Sequence, residues 1–500
     1  MRWLTDEDIA GLTPAERSEP RTPLPVRMVS SEEYHPVPQT RKQHETQARL
    51  YALADEIAPR LGMSRRRFFQ TSAGMAAGFA ALNGAFGPIF EVGAAEAATP
   101  EMADERAERL RGQFIMDMHT HFLRDDTRLE NFVRLRNSVI QAGWNPQLNA
   151  STGAQSLEDL KFDNFFKEIF LDSDTKIALI SSAPADNPGD WFLTNQQMAD
   201  ARARVNDRAG SARLMSHAIM TPGAPGWLDD LDAALALRPD SVKGYTVGDA
   251  LNPGTARHPW RMDSEEAYRG YEKILAAGIT TVCVHKGLWG RGSHARNPHM
   301  TPHAAVGDVA QAAKDWPGLN FNIYHAGYRL DDPDWALAEF ESSGRIEWVT
   351  DLAEIPEKHG VTNVYADVGQ IFAQTLIAQP RICAAILGAL IKGLGADKVC
   401  WGSDAVWTGS PQWQIEGLRR LEIPEDMQRK HGFVPLGAAD GPVKSAIFGG
   451  NNARLYNVDV PLAQAAVASD DFASIKADYL AAGPTPSNRR YGFVTRENHG

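Results

Sequence analysis

From residue 114 to residue 402 the chain alternates short apolar runs with longer stretches whose apolar positions recur three and four apart. The runs cover 114–119, 176–180, 214–220, 241–245, 280–285, 319–325, 363–367 and 398–402. Short and largely apolar, they have the pattern of strands covered on both faces. Between them, 227–237, 264–277, 304–315 and 382–394 have helical character, as in the spacing of Tyr268, Tyr271 and Leu275. Eight strands alternating with helices predict an α/β fold, a (β/α)8 TIM barrel of parallel strands, with an open doubly wound sheet as the alternative. Two stretches interrupt the rhythm. Residues 122–172 form a long insertion after the first strand, with Trp144, Phe165 and Phe166, and read as a lid. Residues 461–500 have no clear pattern and read as a wrapping tail.

The chain ahead of the first strand has a different character. Ser64-Arg65-Arg66-Arg67-Phe68-Phe69-Gln70 is followed by an uncharged, Gly- and Ala-rich stretch, 71–90, and then by Ala95-Glu96-Ala97. This resembles a twin-arginine export signal, with its basic pair, weak apolar region and small-x-small cleavage site. Stretch 71–90 includes Asn83 and is too mildly apolar for a spanning helix, which needs about 20 strongly apolar residues. The resemblance implies a leader at 1–97, a barrel at 98–460 and the tail at 461–500. It also implies the twin-arginine export machinery as a partner, a periplasmic or extracellular location, and a cofactor inserted before export. The lead before Ser64 is long for such a signal, which makes Met28 a candidate start.

Composition narrows the function classes. Hydrophobic types make up 43% of the 500 residues and charged types 23%, the balance of a globular protein rather than a disordered one. Lys and Arg number 51 against 63 Asp and Glu, a net charge of −12. That acidity speaks against nucleic acid as a partner, because phosphate binding needs clustered Lys and Arg. A small-molecule substrate is the expected partner, and homo-oligomerisation is left open. Cys283, Cys383 and Cys400 are too few for a disulfide framework, and none is spaced as CxxC.

The polar residues that interrupt the apolar runs fall at strand ends, where barrel active sites lie. The first run ends in His119-Thr120-His121, and alternation puts both imidazoles on one side of an extended chain. The fifth ends in His285, the sixth in His325 before Ala326-Gly327, and Ser403-Asp404 follows the eighth. At the spacing of one strand–helix unit per about 40 residues, one strand between His325 and Asp404 is left without a candidate residue.

Asp117-Met118-His119-Thr120-His121, Tyr324-His325-Ala326-Gly327 and Trp401-Gly402-Ser403-Asp404 resemble signatures of the amidohydrolase superfamily. The nearer likeness is to its amidohydrolase-related branch, which includes aminocarboxymuconate-semialdehyde decarboxylase. Gly450-Asn451-Asn452-Ala453-Arg454-Leu455-Tyr456 resembles that branch's C-terminal helix, so the likeness runs over residues 112–458. It implies that His119, His121, His285 and Asp404 ligate a divalent metal, with Zn²⁺ first and Fe²⁺ or Mn²⁺ as alternatives. It implies His325 as a second base or electrophile, and a double role for Asp404 as ligand and acceptor of a water proton. Lys243, ending the fourth run, corresponds either to the carboxylated lysine that bridges two metals or to a residue binding a substrate carboxylate. One metal is the favoured count.

The expected activity is a metal-dependent hydrolase working on a small carbonyl or carboxylate substrate. The runner-up is a non-oxidative, metal-dependent decarboxylase using the same site. An exported binding protein without turnover is the third reading. His217 is expected to be a packed histidine and Cys283 a packed thiol, with thiolate ligation as the alternative. Arg291, His294, Arg296, His299 and His303 crowd the loop after the fifth strand, as a hold for an anionic substrate or as a solvated surface.

Overall fold

The computed structural model of the chain describes residues 22–26, 40–127, 129, 160–484 and 486. Its centre is one parallel sheet of eight strands in sequence order: β1 (Met116–Thr120), β2 (Ile177–Ile180), β3 (Leu214–Met220), β4 (Ser241–Tyr245), β5 (Thr281–His285), β6 (Asn320–Tyr324), β7 (Val364–Asp367) and β8 (Val399–Cys400). Every strand expected from the apolar runs is present. Almost all of their residues are buried, because helices cover the outside and side chains fill the inside. β8 is short for a physical reason: past Cys400 the chain leaves β7 and turns to β1. Met118 N donates to Trp401 O at 3.3 Å, Asp404 N to His119 O at 2.8 Å and His121 N to Ala405 O at 2.6 Å. These bonds bring the two edges together, and eight parallel strands with surrounding helices make the expected TIM barrel.

Three of the four expected helices stand nearly as their spacing implies: Trp227–Ala236, Glu265–Ala276 and Pro380–Leu394. The second of these is capped by the Ser264 hydroxyl, which accepts from Ala267 N at 3.3 Å, a contact worth about 1 kcal/mol. The fourth is split into Thr301–Ala304 and Val309–Asp315. The break draws Asp308 inward, where it accepts from Lys286 Nζ at 2.8 Å and from Met262 N at 2.9 Å. Both charged groups are fully buried, and each makes the burial of the other tolerable.

Of the insertion after β1, residues 128 and 130–159, with Trp144, lie outside the described part. Its C-terminal end forms a helix, Phe162–Phe166, that runs into one π-helical turn, Lys167–Leu171. Phe166 and Phe170 meet Phe472, 4.8 and 5.5 Å between ring centres. Phe472 belongs to the region expected to be patternless, which instead holds two helices, Val460–Ala468 and Asp471–Ala481. The second is moored by Asp470, which takes Arg213 Nε at 2.6 Å and Nη2 at 2.8 Å.

The region ahead of the barrel is also folded. Helices Arg41–Arg60, Ser72–Phe86 and Pro100–Arg111 form a layer, whose Phe79 and Leu110, with Glu96 between its last two helices, meet Arg419 and Arg420 at the end of the helix Gln412–Arg420, which follows β8 and is buried from Trp413 on. Ser72–Phe86 buries Ala73, Ala76, Ala77, Phe79, Leu82 and Phe86. At its end the Asn83 carboxamide accepts from Ile89 N and Phe90 N and donates to Phe90 O. Phe90 then pairs antiparallel with Leu421. Among the described residues, no helix is long and apolar enough to cross a membrane.

Candidate metal centre

His119 and His121 stand at and just past the end of β1, fully buried, and Asp404 stands beyond β8. The strand-end contacts that join β8 to β1 bring them together. His119 Nε2 and His121 Nε2 each lie 3.2 Å from Asp404 Oδ1. Among the described residues these three form a group able to hold a metal ion, with ligand atoms all within 4.8 Å of one another. Burial, and next the charge of Lys243, hold the His119 pKa well below its ordinary value. The imidazole is therefore neutral at pH 7, the form in which it ligates a metal. Two imidazoles and a carboxylate converging in a buried site fit a divalent ion such as Zn²⁺.

The histidines are held from behind in one common way. His121 Nδ1 donates to Ser181 O at 3.1 Å, and His325 Nδ1 donates to Gly369 O at 3.0 Å. His119 Nδ1 lies 2.9 Å from Asp367 Oδ1. A carbonyl oxygen only accepts, so His121 and His325 carry their proton on Nδ1 and keep Nε2 as the acceptor nitrogen. This outer ring of acceptors fixes tautomer and ring orientation. Asp367, at the end of β7, has no counterpart among the residues the sequence singles out. Asp117 opens the first motif but is given no role by the sequence; its Oδ1 accepts from Ser403 N at 2.9 Å and from His119 N at 3.4 Å, tying the two chain segments that carry the site. Burial pushes the Asp117 carboxyl up to about 7.

His285 and His325 form the other half of the cluster. Their rings meet edge to face at 4.6 Å, and His325 is 5.1 Å from the His119 ring. His285 stacks on Tyr245 at 4.7 Å and is not one of the three converging donors. It also lines a cavity of about 660 Å³ bordered by Trp289, Arg291, Arg296 and Trp335. His325 and Asp404 share a backbone feature. Their φ angles are 61° and 59°, in the left-handed region that only Gly enters without strain. Such strain gathers at functional sites, where surrounding structure enforces it.

Lys243 is buried at the centre. Its Nζ is 3.3 Å from His119 Nε2 and sits over the rings of Tyr324 and Tyr245, at 4.4 and 4.8 Å. His217 packs beside Tyr324, Nε2 to hydroxyl 3.4 Å. The Cys283 thiol lies 3.7 Å from the Tyr456 hydroxyl, and burial raises its pKa to about 11, so it stays a thiol. In the loop after β5, Arg291 lies over Trp335 and His303 Nδ1 donates to Trp260 O at 2.8 Å.

No curated protein matches the chain. Among solved structures, an uncharacterised TIM-barrel protein from Bordetella bronchiseptica is 15% identical, with a TM-score of 0.42, over 70% of this chain and 99% of its own. The 5-carboxyvanillate decarboxylase of Sphingomonas paucimobilis is 13% identical, TM-score 0.40, over 69% of this chain and 100% of its own. A zinc-bound amidohydrolase from Burkholderia multivorans is 14% identical, TM-score 0.41, over 69% and 100%. A family model described as amidohydrolase matches residues 116–458, from the first residue of β1 through the helix Asn451–Leu455. That span takes in every strand of the barrel and all three converging donors, and the chain belongs to the amidohydrolase family.

Proposed function

We propose that the protein is a metal-dependent hydrolase acting on a small carbonyl or carboxylate substrate. The observation that carries this is the convergence of His119 Nε2, His121 Nε2 and Asp404 Oδ1 beside a held His325. These three would hold one divalent ion, Zn²⁺ or in its place Fe²⁺ or Mn²⁺, with His285 as a fourth donor. Such an ion polarises a carbonyl and lowers the pKa of water toward about 7. Asp404 offers a carboxylate to take a proton from the attacking water. His325, with its Nε2 as acceptor, takes a hydrogen bond from that water and holds it.

One observation favours a second reading, non-oxidative decarboxylation. Lys243 Nζ is a buried cationic group within hydrogen-bond distance of His119 Nε2. An ion on that nitrogen would take the lone pair, and the ammonium would turn to another acceptor. A substrate carboxylate is the acceptor of matching charge. The same lysine, carboxylated, would serve a second metal, so metal stoichiometry reports on it as well.

The deciding experiment incubates metal-loaded protein in ¹⁸O-water with lactones, esters and amides, and with hydroxylated aromatic and enoic acids. Label in the product supports hydrolysis. CO₂ released with no label in the organic product overturns it in favour of decarboxylation. Turnover of none of these classes overturns both.

A further inference from the structure

β7 lies between the strands that carry His325 and Asp404, and the segment just past it touches both halves of the site. Asp367 Oδ1 receives His119 Nδ1 at 2.9 Å and Gly369 N at 2.9 Å. Gly369 O receives His325 Nδ1 at 3.0 Å. Gly369 also has to be glycine, since a Cβ there would collide with His119 Nδ1 and sit 2.9 Å from Asp367 Oδ1. Gly402 guards the other side: a Cβ on it would run into Asp367 Oδ2 and His119 Cβ. The pair Asp367–His119 is fully buried between these two glycines.

We propose that the turn Asp367–Gly369 is the positioning element of the site, setting the tautomer of His119 through Asp367 and the orientation of His325 through Gly369 O. Asp367 touches neither metal nor substrate; it acts through His119. With the Nδ1 proton given to Asp367, His119 presents Nε2 toward Asp404 and His121. The inference rests on the proposed metal site, and its test reads the protein without metal as well. In ¹⁵N-histidine spectra of the metal-free protein, His119 should be the Nδ1–H tautomer. Asp367→Ala should lose that preference and weaken Zn²⁺ about ten- to hundredfold, the usual cost of losing such a partner. Asp367→Asn keeps an oxygen that Gly369 N holds in place, and should recover most of both. An Asp367→Ala protein with the parent tautomer and Zn²⁺ affinity overturns the proposal. So does Asp367→Asn falling as far as Asp367→Ala. If the alanine variant does not fold, the asparagine variant alone decides, by keeping or losing the tautomer. The tautomer result stands whichever reaction the enzyme runs.

A second inference comes from the N-terminal layer, away from the barrel mouth. Phe68 and Phe69 of the export-like motif are buried, and Arg66 and Arg67 are exposed. Gly74 approaches Phe68 O so closely that no side chain fits between. Glu96, the middle residue of the small-x-small site, binds Arg420 through both oxygens, at 2.6 and 3.1 Å. Arg420 keeps 3% of its side chain exposed and lies over Phe79, a residue of the helix Ser72–Phe86. Glu91 N donates to Arg420 O at 2.7 Å, and Glu422 N to Ile89 O at 2.9 Å.

We infer that residues 40–98 are a retained layer of the finished protein, docked on the helix Gln412–Arg420, and that Ala95-Glu96-Ala97 is not cut. The folded layer and recognition of the motif as an extended signal exclude each other, because the layer buries Phe68 and Phe69. Export by the twin-arginine route is thus confined to chains whose layer is undocked. Intact-mass and N-terminal analysis of the protein from a host with that route is the test, with thermal melting of a chain cut to 98–500 alongside. Retention of 40–98, with aggregation or a lowered Tm of the cut chain, is expected. A mature N-terminus at residue 98 on folded protein overturns the inference, and so does a cut chain with unchanged Tm.

Discussion

Replacing His119 and His121 together with alanine is expected to take the bound divalent ion from about one equivalent per chain to none. Both Nε2 atoms lie 3.2 Å from Asp404 Oδ1. Without them Asp404 alone is left of the converging three, beside His285 as the proposed fourth donor. Two ligands do not hold a transition ion against water, since the affinity of these sites comes from several preformed ligands acting together. The His119 imidazole is neutral in its buried setting, so its removal strands no charge on the ligand side. Asp367 and Lys243 do each lose a contact to His119. A modest fall in thermal stability is therefore expected along with the metal loss, and circular dichroism separates it from unfolding. Elemental analysis of protein purified without chelator is the measurement. A folded double variant with the parent's metal content would remove His119 and His121 from the site. Two equivalents in the parent protein would point to a carboxylated Lys243.

The barrel is legible in the sequence because its strands are covered on both faces. Burial on both sides produces apolar runs such as Val282-Cys283-Val284, and the polar residues that end them stand out. His119, His121, His325 and Asp404 are legible for that reason. Asp367 also ends such a run, yet a single carboxylate at the end of a strand has no spacing partner to mark it. Its meaning appears only when β7 is set between β6 and β8 and its oxygen meets His119. The C-terminal helices escape the sequence for another reason. Asp471–Ala481 is anchored by Phe472 and by the Asp470 cap, and one buried residue makes no periodic face. The helix Ser72–Phe86 shows the opposite ambiguity. An uncharged Ala- and Gly-rich helix is what a signal's apolar region looks like, and also what a helix buried between layers looks like. The sequence holds the same residues in either case. The packing of Asn83, Glu96 and Arg420 is the ground for proposing the second.

His325→Ala is expected to keep the metal and lose about 10²–10⁴-fold in kcat, the usual worth of a positioned acid or base. The reasoning starts from what holds the ring. Nδ1 is committed to Gly369 O, and the left-handed backbone at His325, Ala326 and Gly327 turns the residue in beside His119 and His285. A residue kept in strained backbone and fixed by a carbonyl just past a neighbouring strand is oriented for contact with something other than protein. It is not one of the three donors that converge on a common point. Removing its ring should therefore leave the metal content at the parent level while the chemical step slows. Asp404→Ala makes the contrast. That carboxylate faces both His119 and His121, so its loss should lower turnover and metal content together. Metal analysis and steady-state kinetics on the two variants, with whichever substrate class the labelling experiment identifies, separate the roles. Loss of metal in His325→Ala would make His325 a ligand and shift the site toward two ions. Full activity in that variant would remove it from the chemistry and leave Asp404 as the proton acceptor on its own.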